Sequence, residues 1–133
     1  MFFPARTVKG MRVLICDDEA RIQQHYRIEF ELGGAEVVCA NDGHDCLYGA
    51  DREHPDLIVL DLRMPRMDGL ATLPQISQHQ PGVAVVVVSG EEASKFDQAT
   101  ARGAVDCVDK LEFLLRIPPV IARYGGAVAP TAH

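Results

Sequence analysis

Short β-branched runs alternate along this chain with longer segments whose apolar residues recur every three or four positions. Residues 13–16 predict a first strand, and residues 20–32 a helix with Ile22, Tyr26 and Phe30 on one face, closed by Gly33-Gly34. Residues 35–40 predict a second strand and 43–54 a second helix, ended by Pro55. Residues 57–60 are apolar throughout, the mark of a strand buried on both faces of a parallel sheet. Residues 61–69 are expected as a loop and 70–79 as a third helix, which Pro74 should bend or delay. A fourth strand at 83–88 is again fully apolar. Residues 91–102 predict a fourth helix closed by Gly103, and 105–108 a short fifth strand. The last helix, 111–124, should be interrupted by Pro118-Pro119, with a new helical turn starting there. Five strand-helix units in series imply an α/β fold: a doubly wound, five-stranded parallel sheet with helices on both faces. One domain is expected over 11–124, with an N-terminal extension at 1–10 and a flexible tail at 125–133.

Composition narrows the function classes. A chain of 133 residues holds one core rather than two. The net charge of -6, with 13 scattered Lys and Arg, argues against nucleic acid as a direct partner. The longest apolar run is too short for a bilayer, and Met1-Phe2-Phe3-Pro4 lacks the apolar region of a secretory signal, so a cytoplasmic, non-membrane protein is expected. Cys16, Cys39, Cys46 and Cys107 show neither zinc-site pairing nor a disulfide framework, and are expected as buried or half-buried thiols.

In a doubly wound sheet, ligands bind outside the carboxyl ends of the strands. Asp17 and Asp18 follow the first strand, Asp61 the third, Ser89 the fourth and Lys110 the fifth. Each alone is ordinary, as a helix cap, a turn residue or a surface cation. Together on one rim they form a site. Three close carboxylates repel, so they take up a proton or hold a cation. Oxygen ligands with open positions suit Mg²⁺ (or Mn²⁺), which accepts a phosphate oxygen. Lys110 offers a compact positive charge to the same phosphate, Ser89 a hydroxyl, and Asp61 a nucleophilic carboxylate.

The run Asp61-Leu62-Arg63-Met64-Pro65-Arg66-Met67-Asp68-Gly69 resembles the phosphoacceptor loop of bacterial two-component response-regulator receiver domains, of the stand-alone chemotaxis type. Asp17-Asp18-Glu19, Pro55-Asp56-Leu57, Ser89-Gly90, Gly103-Ala104 and Lys110 fall at that family's intervals. The resemblance implies a flavodoxin-like strand order 2-1-3-4-5 and a phosphorylation-controlled signalling module rather than an enzyme. It implies that Asp61 is phosphorylated by a sensor histidine kinase, a phosphotransfer protein or a small phosphodonor. Asp18, Asp61 and the backbone carbonyl of Arg63 would bind Mg²⁺, with Asp17 acting through water. Lys110, Ser89 and the backbone N–H of Gly90 would hold the phosphoryl group. The signal would pass to a downstream protein, or into a phosphorylation-dependent homodimer, through the face of helix four, strand five and helix five.

Two positions depart from the family pattern. Cys107 stands where an aromatic switch residue is usual, and is expected to pack under helix four. Leu111 stands where a cis-proline is usual, which predicts a trans bond and a rearranged loop into the last helix. Arg63, long and cationic, is expected either over the phosphoryl group or free in solvent. The residues after Lys110 are too few for a DNA-binding output domain, which favours a stand-alone receiver. A fragment of a longer regulator, a phosphorelay intermediate, an aspartate-nucleophile phosphatase and a non-phosphorylated scaffold are the other readings.

Overall fold

The computed structural model describes residues 10–90 and 93–124. Its strands are β1 (Arg12–Cys16), β2 (Glu36–Ala40), β3 (Leu57–Asp61), β4 (Ala84–Ser89) and β5 (Asp106–Asp109). They alternate with α1 (Ala20–Leu32), α2 (Gly43–Glu53), α3 (Gly69–His79), α4 (Phe96–Ala101) and α5 (Lys110–Tyr124), and a 3-10 turn, Ala93–Lys95, leads into α4. Every strand pairing is parallel and the order is 2-1-3-4-5, the doubly wound arrangement expected. Central β3 is buried at all its residues, as its unbroken apolar sequence requires.

Alternate residues of the strands serve two cores. Leu14, Ile58, Leu60, Val85 and Val87 meet Ala50, Leu73 and Ile76 of α2 and α3 on one side. Val13, Ile15, Val59 and Val86 meet Tyr26, Phe30, Phe113 and Ile117 of α1 and α5 on the other. There the Tyr26 and Phe113 rings stand edge to face at 5.0 Å. The Tyr26 hydroxyl donates to the Lys110 carbonyl at 2.9 Å, fixing the first turn of α5 beside the sheet's carboxyl rim.

Several local expectations need correction. Asp61 is the last residue of β3 rather than the first of a loop. Helix α4 is short, and residues 91 and 92, its expected start, lie outside the described residues, as do 1–9 of the extension and the tail at 125–133. Helix α5 begins directly at Lys110 and continues through Pro118 and Pro119 to Tyr124. The Lys110–Leu111 bond is trans, as expected, but no rearranged loop precedes the helix. Instead Asp109 caps it: its Oδ1 accepts the N–H of Leu111 at 2.9 Å and of Glu112 at 3.2 Å. A proline at 111 could not make the first of these bonds.

Pro74 lies inside α3 without delaying its start at Gly69. Proline cannot donate to the Leu70 carbonyl one turn back, and Arg102, at the end of α4, fills the gap with an Nη1–H bond of 2.8 Å. The cysteines also differ from expectation. Cys16 and Cys46 are joined as a disulfide between β1 and α2, with their Cα atoms 5.8 Å apart, while Cys39 and Cys107 are free. The packing of α2 against β1 brings these two together; their spacing of 30 residues gives no hint of it. Among the described residues, no helix is long and apolar enough to cross a membrane.

Candidate functional site

The carboxyl ends of β1, β3 and β4 and the start of α5 surround one cleft of about 660 Å³, lined among others by Asp18, Glu19, Asp61, Arg63, Lys95 and Lys110. Its floor is built by backbone constraint. The Asp17 N–H extends the sheet to the Ala40 carbonyl at 3.1 Å, and Asp17 Oδ1 accepts the Glu19 N–H at 2.9 Å. That tight turn leaves Asp17 buried and Asp18 exposed to the cleft. Asp61 is buried at the end of β3, and its Oδ1 accepts the Arg63 N–H at 3.2 Å. The loop then folds back on the strand it left. A Cβ at Gly69 would stand 2.4 Å from the Asp61 carbonyl oxygen, an approach only glycine allows.

Lys110 closes the cluster. Its Nζ lies 2.8 Å from Glu19 Oε1, 3.0 Å from Asp17 Oδ2 and 3.2 Å from Asp61 Oδ2. Burial, then the charge of Asp17, pushes the Asp61 carboxyl up to about 6, against the opposing pull of Lys110 and the Arg63 N–H. Burial likewise raises Asp17. Burial works against the Lys110 charge too, but Glu19 and the two aspartates outweigh it and hold the ammonium protonated. Glu19, exposed, is held low by the same lysine.

Asp17, Asp18 and Asp61 each offer a carboxylate oxygen within 4.8 Å of the others. Asp17 Oδ2 is buried without a hydrogen-bond donor; the Lys110 ammonium is near it as a charge contact without hydrogen-bond alignment. An all-oxygen donor set with one buried oxygen unmet fits a hard divalent cation. Asp17, Asp18 and Asp61 are the residues that could hold it.

The fold thus gathers Asp17, Asp18, Asp61, Arg63, Gly90 and Lys110 at one place. Ser89 is buried at the end of β4, next to Gly90. Cys107 stands apart: it pairs in register with Val87, and its Sγ lies 3.7 Å from the Phe96 carbonyl and from Thr100 Oγ1 of α4, where burial raises the thiol. Sequence reasoning gave no role to Glu19, although its place beside two aspartates was a signal. It also missed the ion pair of Arg66 with Asp42, which no spacing announces.

Comparison with known proteins identifies the family and the fold. The response regulator receiver domain family matches residues 13–115. The chain is 35% identical over 100 residues to the regulatory protein AtoC of Escherichia coli, spanning 74% of this chain and 22% of that protein. It is 41% identical over 102 residues to protein-glutamate methylesterase/protein-glutamine glutaminase 3 of Rhodospirillum rubrum, spanning 74% and 28%. The chain therefore covers less than a third of either relative's length. Among solved structures, the response regulator domain of Thermotoga maritima CheB superposes with a TM-score of 0.77 at 27% identity, covering 93% of this chain and 100% of that one. The receiver domain of a putative NarL from Mycobacterium tuberculosis gives 0.80 at 26% identity, covering 89% and 98%.

Proposed function

The chain belongs to the response regulator receiver domain family, and from that premise we propose that Asp61 accepts a phosphoryl group from a histidine kinase or phosphotransfer protein and that the change is passed to a downstream protein. The observation that carries this reading is Lys110 Nζ set between Asp61 and Asp17 beneath an open cleft. An Asp61 carboxylate oxygen forms the new O–P bond while the phosphorus–nitrogen bond of a phosphohistidine breaks, and the leaving imidazole keeps the electron pair and takes a proton. When bound, Mg²⁺ would supply charge neutralisation to the phosphoryl oxygens. Asp18 and Asp61 would hold the ion, with Asp17 acting through water and the Arg63 carbonyl completing the protein's share. Lys110 is positioned to release its carboxylates and follow the phosphoryl oxygens. Ser89 and the Gly90 N–H lie at the adjacent strand end to receive another of those oxygens. Signal output then runs through α4, β5 and α5, with Cys107 packed against α4 in place of an aromatic.

Incubation with Mg²⁺ and acetyl phosphate, followed by intact-mass measurement, should show one phosphoryl group on the parent and none on Asp61→Asn. A parent that takes up no phosphoryl group from any donor or kinase sinks the proposal. A second reading, a receiver that controls an attached output domain, is favoured by the much greater length of the curated relatives. The mass of the protein purified from its native source distinguishes the two.

A further inference from the structure

The loop between β3 and α3 carries the Arg63 carbonyl, and two contacts tie that loop to the start of α2. A Cβ at Gly43 would lie 2.5 Å from the Met67 carbonyl and 2.4 Å from Thr72 Oγ1, so the loop and α2 meet without a side chain between them. Beside it, the exposed Arg66 forks onto Asp42: Nε donates to Oδ2 at 3.0 Å, and Nη2 makes a second, short contact with the same oxygen. Asp42 is the N-cap of α2, accepting the Asp45 N–H at 2.8 Å through its other oxygen. Asp42 is buried, and Arg66 holds one of its two carboxylate oxygens. The Asp45 N–H, then Arg66, hold Asp42 below the usual carboxylate range.

Arg66 adopts φ 65, a left-handed conformation that a long side chain resists and glycine accepts freely. A residue type that works against the backbone stands here with its guanidinium on a helix cap. We propose that Arg66 is a positioning residue for the acceptor loop: by anchoring the loop's midpoint to the Asp42 cap, it fixes the Arg63 carbonyl and the Asp61 turn for the divalent cation. The inference rests on the reading of Asp61 and the Arg63 carbonyl as the cation's ligands.

Two substitutions separate anchoring from simple electrostatics and from folding. Arg66→Gly relieves the left-handed strain while removing the anchor, so its melting temperature should not fall. Asp42→Asn keeps a capping side chain but loses the charge that holds the arginine. Removing a cation should tighten Mg²⁺ binding if charge alone matters, and removing an anion should weaken it. Anchoring makes both variants weaker, by about tenfold, the lower end of what is usual when a group supporting a metal ligand is lost. In the double variant the losses should not add.

Mg²⁺ affinity is read by calorimetry on the metal-free full chain, alongside amide hydrogen exchange over residues 62–67, which should quicken in both variants. An Arg66→Gly variant that binds Mg²⁺ as tightly as the parent, or more tightly, overturns the role. So does unchanged exchange in the loop. The parent is the control for the underlying reading: if it neither binds Mg²⁺ nor takes a phosphoryl group, the proposed function itself fails.

Discussion

Asp61 is held in a place that disfavours its own charge, and that has a measurable consequence. In the metal-free protein its carboxyl is pushed from an ordinary 3.8 up to about 6 by burial and by Asp17. Below about pH 3 the group is protonated whether the chain is folded or not, so nothing is lost. As pH rises toward 6 the unfolded chain gives up the proton more readily, and the fold loses stability, by about 1–3 kcal/mol once both states are ionised. Asp61→Asn removes that penalty. At pH 7.5 and without metal it should melt above the parent, and the gap should close as pH is lowered to about 3. Adding Mg²⁺ should raise the melting temperature of the parent and leave the variant nearly unmoved. A variant that melts below the parent at pH 7.5 would show that the Lys110 pairing outweighs the repulsion. The identity of these residues was legible in the sequence because each follows a predicted strand, and strand ends share a rim. The repulsion among the carboxylates was legible too, but the contacts that answer it were not. Neither the 2.8 Å reach of Lys110 to Glu19 nor the unmet oxygen of Asp17 follows from spacing.

Helices show the same division between what periodicity carries and what packing decides. The face of α1 was readable, since Ile22, Tyr26 and Phe30 recur every four residues and pack into one core. Proline was misread in α5, where the helix runs on through Pro118 and Pro119. In α3 a compensation is visible: Arg102, 32 residues after Leu70, supplies the donor that Pro74 withholds. This predicts a specific coupling. Arg102→Ala leaves the Leu70 carbonyl unpaired and should cost about 1–3 kcal/mol. Pro74→Ala restores the missing N–H, so in its presence Arg102→Ala should cost much less. Urea unfolding of the four proteins closes the cycle, and equal costs of Arg102→Ala in both backgrounds would show that the guanidinium does not stand in for the proline's missing bond. The Asp109 cap of α5 has a similar origin: the N–H of Leu111 becomes a donor because proline is absent there.

At the scale of the whole molecule, the strand order is what joins the site to a surface. With β4 and β5 at one end of the sheet, α5 starts at Lys110 inside the cleft and runs away from it along the outside. Phe113, Ile117 and Val120 face the core, whereas Leu111 and Leu115 stay 75% and 82% exposed. Leu111, next to the lysine, and Leu115, four residues further on, lie on one exposed side of the helix. The lysine is mostly buried and bound to three carboxylates, and its backbone carbonyl holds the Tyr26 hydroxyl. If a phosphoryl group on Asp61 draws Nζ away from Glu19 and Asp17, the first turn of α5 must adjust, because the same residue starts the helix. Phosphorylation of the parent should therefore change amide hydrogen exchange over residues 106–116. Lys110→Ala, kept in Mg²⁺ so that the carboxylates remain compensated, should still take up the phoshoryl group, more slowly, while exchange over 106–116 stays as in the unphosphorylated form. An equal exchange change in phosphorylated Lys110→Ala would mean that the signal leaves the cleft by another route, with Ser89 and the end of β4 the first place to look.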